Sequence, residues 1–228
     1  PAWEFSLKSF QELFGFGSKL LLANLLDTFY RNVFNVIIGK FHTVEELGQY
    51  TRAEQFNQIF SSNLLAVVQK VSYPLLCSIQ DNDERLKAVY QRIIKSTMLV
   101  AFFCMLGLAA IAKPLILILV GTKWLPAVIY LQILCFAGML YPIHALNLNI
   151  LIVKGRSDLF LRLEILKKII SLIPIYLGVF YGIELMLWGG VLISFAAYFL
   201  NSFYTEKLIN YSAWSQIKDI STSFLVSS

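Results

Sequence analysis

The chain has 228 residues, 57% of them hydrophobic and 14% charged, with a formal net charge of +5 at pH 7 and a mean hydropathy of +0.67. Soluble domains average about 25% charged residues, so the composition excludes an ordinary soluble enzyme or nucleic-acid-binding domain and points to an all-α integral membrane protein. Strands of a membrane barrel would alternate in polarity over about 10 residues, and none of the apolar runs does.

A hydrocarbon core about 30 Å thick needs roughly 20 residues of helix. Six runs meet that length and predict six transmembrane helices at about Leu13–Ile38, Ala53–Leu76, Ile93–Ala112, Leu125–Val153, Leu159–Phe180 and Glu184–Phe203, forming one domain over residues 1–228. Between the first two, Thr43 with Glu46 three residues on is a capping-box pattern that predicts a brief helical turn. Lys113-Pro114 predicts the end of the third span, with a separate short apolar piece at Leu115–Val120 and a Gly121-Thr122-Lys123-Trp124 turn suited to a membrane interface. Ser157 before Asp158 reads as an N-cap of the fifth span. Pro142 and Pro174 predict bends in the fourth and fifth. Residues 204–228 read as a cytoplasmic tail followed, near Ile217, by the start of a truncated further helix.

Lysine and arginine placement is uneven. The loops after the second and fourth spans hold Arg85, Lys87, Lys154 and Arg156, with Lys167, Lys168 and Lys207 assigned to the same side, whereas Lys40, Arg52, Lys113 and Lys123 fall opposite. The asymmetry predicts both chain ends in the cytoplasm, and it makes the basic loops topology signals rather than nucleic-acid sites. Cys77, Cys104 and Cys135 show no paired spacing, and His42 and His144 stand alone, so a metal site or acid–base pair is not expected.

Within the first span Asn24, Asp27, Arg31 and Asn35 fall at helical spacing. An ionised Asp or Arg near a helix centre costs roughly 2.5–3.5 kcal/mol on insertion scales, so such groups face a partner helix or a watery cavity. Arg31 is a candidate anion contact and Asn24 and Asn35 candidate hydrogen-bonders. Asp27 would restrain Arg31 or accept a coupling proton or sodium ion; no other cofactor is implied. The alternative is an i, i+4 ion pair that only ties this helix to a neighbour. Gln55, Gln58, Ser62 and Gln69 share a face of the second span, as cavity lining or as interhelical hydrogen bonds. Asn147 and Asn149 point to different faces of the fourth, so at most one enters a cavity; Asn147 is the candidate taken.

Several short patterns occur in order along nearly the whole chain: Phe14-Gly15-Phe16-Gly17-Ser18-Lys19, Asn35-Val36-Ile37-Ile38-Gly39-Lys40, Leu47-Gly48-Gln49-Tyr50, Tyr73-Pro74-Leu75-Leu76, the Gly121–Trp124 turn, and Lys154-Gly155-Arg156-Ser157-Asp158. Together they resemble the lipopolysaccharide and exopolysaccharide repeat-unit flippases of the multidrug, oligosaccharidyl-lipid and polysaccharide exporter superfamily. The resemblance implies the second six-helix lobe of a two-lobed bacterial inner-membrane transporter, with the first lobe preceding Pro1. It implies a cargo of undecaprenyl-pyrophosphate-linked oligosaccharide, contact with membrane lipid, neighbouring polysaccharide assembly enzymes, and alternating access without covalent chemistry. A multidrug exporter of the same superfamily is the alternative, a membrane-embedded polymerase or ligase a more distant one.

Overall fold

The computed structural model describes residues 7–227, apart from the side chains of Ser9, Glu12, Arg31 and residues 222–227. Every regular element among them is helical: α1 Leu7–Phe41, α2 Val44–Ser78, α3 Asp83–Leu119, a single 3-10 turn at Thr122–Trp124, α4 Ala127–Gly138, α5 Tyr141–Val153, α6 Ser157–Ile170, α7 Leu172–Tyr181, α8 Ile183–Ile209 and α9 Ala213–Ser227. Three stretches are long and apolar enough to cross a membrane, Asp83–Leu119, Ala127–Val153 and Ile183–Ile209. At 35 residues each, α1 and α2 extend about 52 Å at 1.5 Å per residue.

The capping box is present, with Glu46 N–H donating to Thr43 Oγ1 at 3.2 Å and Thr43 N–H to Glu46 Oε2 at 3.0 Å. It opens the whole of α2 rather than a brief turn, because no breaker follows until Pro74, near the far end. Donation from the Thr43 N–H and from its hydroxyl holds the Glu46 carboxyl below the usual carboxylate range. The third span does not end at Lys113-Pro114; α3 continues through it to Leu119. Ala112 and Ile116 on either side are fully buried against the α4 region, and unwinding there would strand backbone polar groups in an apolar setting. Gly121, at φ +90°, then turns the chain.

Ser157 is the first residue of α6, not its cap; Arg156 occupies the capping position and makes no side-chain cap bond. Its guanidinium instead donates to both carboxylate oxygens of Asp158 at 3.0 Å and pulls that carboxyl down to about 2. The fourth and fifth predicted spans each divide in two, at Met139-Leu140 and at Ser171. Both breaks lie just ahead of the prolines, Pro142 and Pro174, which occupy first turns where a missing N–H costs little.

Two sets of contacts define the ends of the bundle. At one, His42 Nε2–H donates to Gly178 O (2.7 Å), Gln49 Nε2 donates to Lys123 O (3.0 Å), and the Arg52 guanidinium stands 4.9 Å from the Trp124 ring centroid. At the other, Lys154 Nζ reaches Gln80 O and Asp83 Oδ1 at 2.6 Å, and Lys87 donates to Asn210 O. The predicted tail is folded: α8 runs to Ile209, and a helix starts at Ala213 rather than near Ile217 and packs on α3. Tyr211, Gln216 and Ile220 bury that face.

A buried polar knot joins α3, α5, α8 and α9. The Asn147 side-chain oxygen accepts from Tyr90 Oη (3.0 Å), Thr205 Oγ1 (2.8 Å) and Gln216 Nε2 (3.2 Å), and its amide donates back to Gln216 Oε1 at 3.2 Å. Asn147 is therefore not a cavity residue. It satisfies three donors in an otherwise apolar core, where each would cost about 1–3 kcal/mol if left alone.

Candidate functional site

The breaks in α4–α5 and α6–α7 open space on the side of the bundle facing α1 and α2. A cavity of about 620 Å³ lies there, walled by Ala23, Asn24, Asp27, Tyr30 and Phe34 of α1, Leu65 and Gln69 of α2, the α5 face carrying Tyr141, His144, Leu148 and Asn149, and α6 and α8. A second cavity of about 330 Å³ continues toward the α1–α2 turn and shares Tyr30, Phe34, Leu65, Ala137, Tyr141 and Gly190 with the first. The two are halves of one cleft that meet at an aromatic waist, with polar and charged groups set in a largely apolar lining. Each falls within the range of about 300–1,000 Å³ usual for ligand sites.

The larger half contains the charges. Lys168 Nζ is 2.6 Å from Asp27 Oδ1 and 3.8 Å from Glu164 Oε2, and it sits 4.8 Å from the centroid of the Tyr30 ring. Lys167 Nζ bonds Glu164 Oε1. The four carboxylate and ammonium groups thus form one chain, Asp27–Lys168–Glu164–Lys167, running from α1 to α6. Helix α6 places Glu164 at i, i+3 and i, i+4 to the two lysines, so all three side chains share a face. Glu164 is only 6% exposed. Removing one partner of a pair this enclosed leaves a poorly solvated charge, which is costly, whereas the complete chain is self-compensating.

Neutral donors and acceptors surround this chain. Tyr30 Oη donates to Ser171 O at the α6–α7 break. His144 is held between Ser194 Oγ at 3.0 Å and the Asn201 amide at 3.2 Å. Asn149 Nδ2 is buried and makes no hydrogen bond. The smaller half is lined on α2 by Tyr50, Glu54, Asn57, Gln58, Ser61 and Ser62.

The residues expected from sequence separate into three groups. Asn24 and Asp27 line the larger half of the cleft, Gln58 and Ser62 the smaller, and Gln69 the larger. Arg31 stands in α1 one turn beyond Asp27, but its side chain lies outside those described. Asn35, Gln55 and Asn147 do not line the cleft. Asn35 Oδ1 is buried without a hydrogen bond, Gln55 is exposed and accepts from Arg52 Nη1 at 3.1 Å, and Asn147 belongs to the polar knot. On α5 it is Asn149 that faces the cleft, two residues and about 200° further round the helix.

Lys167 and Lys168, assigned from sequence to the basic membrane side, are cavity residues together with Glu164 and His144. The signal for them was present: Glu164, Lys167 and Lys168 interrupt the fifth apolar run as Asp27 and Arg31 interrupt the first. Among the described residues, no group of three or more His, Cys, Asp or Glu side chains could hold a metal ion.

A family model described as polysaccharide biosynthesis protein matches residues 1–129. The teichuronic acid biosynthesis protein TuaB of Bacillus subtilis is 30% identical over 159 residues, 70% of this chain and 33% of that protein. An uncharacterized membrane protein in the cps region of Klebsiella pneumoniae is 26% identical over 80% of this chain and 38% of its own length. For the lipopolysaccharide biosynthesis protein WzxC of Escherichia coli the identity is 22%, over 78% of this chain and 36% of its own length. The chain thus spans about a third of the length of the curated relatives it matches. No solved structure matches it. With the family model covering more than half of its residues, the chain belongs to the polysaccharide biosynthesis protein family.

Proposed function

We propose that this chain is one six-span lobe of a bacterial inner-membrane flippase, which moves an undecaprenyl-pyrophosphate-linked oligosaccharide across the bilayer by alternating access. The observation that carries the reading is the Asp27–Lys168–Glu164–Lys167 chain in a cleft walled by α1, α2, α5, α6 and α8. Charged groups at membrane depth mark substrate or ion pathways, and a sugar pyrophosphate cannot enter hydrocarbon without a polar route. Without cargo, Asp27 and Glu164 compensate the two ammonium groups. An arriving pyrophosphate competes for Lys167 and Lys168, and the displaced Asp27 is free to take up a proton or sodium ion. Arg31, one turn beyond Asp27 in the sequence of α1, is proposed as a further anion contact. No bond in the cargo is made or broken.

Both ends of the chain are cytoplasmic in this reading, a complementary lobe of the same protein faces the cleft, and polysaccharide assembly enzymes supply and consume the cargo. The test is translocation of lipid-linked oligosaccharide by the reconstituted full-length protein. Lys168→Ala should reduce the rate at least tenfold at normal protein level, and an unchanged rate would remove the site. Formation of glycosidic bonds by the purified protein alone would replace the flippase with a polymerase.

A further inference from the structure

The two halves of the cleft differ in chemistry, and the difference orders the cargo within it. The charged chain occupies only the larger half; among the described residues lining the smaller half, the one charged side chain is Glu54. What the smaller half offers instead is a polar ladder on α2. Asn57 and Ser61 lie one turn apart, as do Gln58 and Ser62, so the two pairs form adjacent rungs along the helix. The hydroxyls of Ser61 and Ser62 donate to the backbone carbonyls of Asn57 and Gln58, leaving their oxygens to accept from a ligand.

The Asn57 amide is seated by the absence of a side chain at Gly138, where a β-carbon would stand 2.9 Å from Asn57 Oδ1. The rings of Tyr30 and Phe34 on α1 and of Tyr141 on α5 line the same half. Amides and hydroxyl oxygens alongside aromatic rings suit a neutral sugar, whose hydroxyl and N-acetyl groups need hydrogen bonds and whose C–H faces lie well on aromatic surfaces. Among the described residues lining this half, no Lys or Arg stands to pair a ligand carboxylate.

We infer that the α2 half of the cleft is a subsite for an uncharged or N-acetylated sugar ring. It lies beyond the lysine half, which takes the pyrophosphate, so the glycan enters ahead of its phosphates. The inference rests on the flippase reading. It adds that a neutral glycan is read by Asn57, Gln58, Ser61 and Ser62, on the side of the Tyr30–Tyr141 waist away from Lys168.

The test measures binding of the full-length protein in nanodiscs to undecaprenyl pyrophosphate and to undecaprenyl pyrophosphate bearing di- to tetrasaccharides, whose first sugar is hexose, N-acetylhexosamine or uronic acid. For the unsubstituted protein, at least one neutral or N-acetylated glycan should tighten binding tenfold or more over the bare lipid, and uronic acid should give less. Gln58→Ala combined with Ser62→Ala should abolish that gain and leave the bare lipid bound within twofold. Both side chains are exposed in the cleft, so no packed core is lost, and Gln58→Asn, which keeps the amide, should retain part of the gain. Lys168→Ala should weaken the bare and glycosylated lipids equally. The inference is overturned if the double variant keeps the gain, if it weakens the bare lipid as much, or if uronic acid binds best. Failure of the unsubstituted protein to bind any of these lipids overturns the flippase reading together with it.

Discussion

The sharpest packing test is Gly178→Ala in α7. An added β-carbon would stand 2.6 Å from Met186 Sδ, 2.9 Å from its Cγ and 3.0 Å from its Cβ on α8. Optimal contacts are about 3.5–4.0 Å, so the deficit is about 1 Å at sulfur and half that at Cβ. The sulfur can rotate away, but Met186 Cβ is fixed to the α8 backbone, and the side chain is fully buried beside Ile38, Tyr50 and Ile133. The helices must therefore part, which also lengthens the 2.7 Å bond from His42 to the Gly178 carbonyl. Overpacking costs about 1–3 kcal/mol, and with Cβ itself obstructed we expect the upper half of that range. Unfolding midpoints of the purified protein in detergent measure it, with a Met186→Ala background as the control. Alone, Met186→Ala should cost about 2–5 kcal/mol through the cavity it leaves. In that background Gly178→Ala should cost less than about 1 kcal/mol, a non-additivity expected only of touching residues. Additive losses, or a Gly178→Ala cost under about 0.5 kcal/mol, would refute the close α7–α8 approach.

Asn147→Ala should destabilise by about 2–4 kcal/mol, because Tyr90, Thr205 and Gln216 lose a shared acceptor, and hydrogen exchange should rise first in α9. Thr43→Ala should cost about 0.5–2 kcal/mol at pH 7 through loss of the α2 cap. That cost should shrink in acid. The Glu46 carboxyl is depressed in the fold, so its contribution is complete above the ordinary carboxylate pKa and is lost as pH falls through the folded value. Midpoints taken between pH 7 and pH 3 check the sign. Arg156→Ala should act likewise, its effect present above about pH 4 and fading toward the Asp158 value of about 2.

Helix positions were largely legible because length and apolar runs decide them, and a capping box or a chain-reversing glycine leaves a local mark. The local rules failed where tertiary contacts outweighed them. Pro114 reads as a stop, yet the apolar residues around it bury on α4 and the helix continues. In the site, a charge inside an apolar run demands a partner, which marks Lys167 and Lys168 as plainly as Asp27. From sequence the two lysines read as topology signals, although they fall near the middle of the predicted fifth span, because lysine placement also sets orientation. Asn147 and Asn149 show the opposite limit. Periodicity separates their faces, but only the placement of α3 and α9 shows that the Asn147 face is the dry one.

The central claim is that the cargo's head group passes through the cleft between α1, α2 and α5. It is tested most directly by photo-crosslinking in the reconstituted full-length protein, with a photoreactive residue replacing Phe34 at the aromatic waist or Phe103 on the exposed face of α3. With lipid-linked oligosaccharide labelled in its sugar, the account predicts adducts at Phe34 that are lost in Lys168→Ala, and background labelling at Phe103. Equal labelling at the two positions, or adducts at Phe34 indifferent to Lys168, would contradict it.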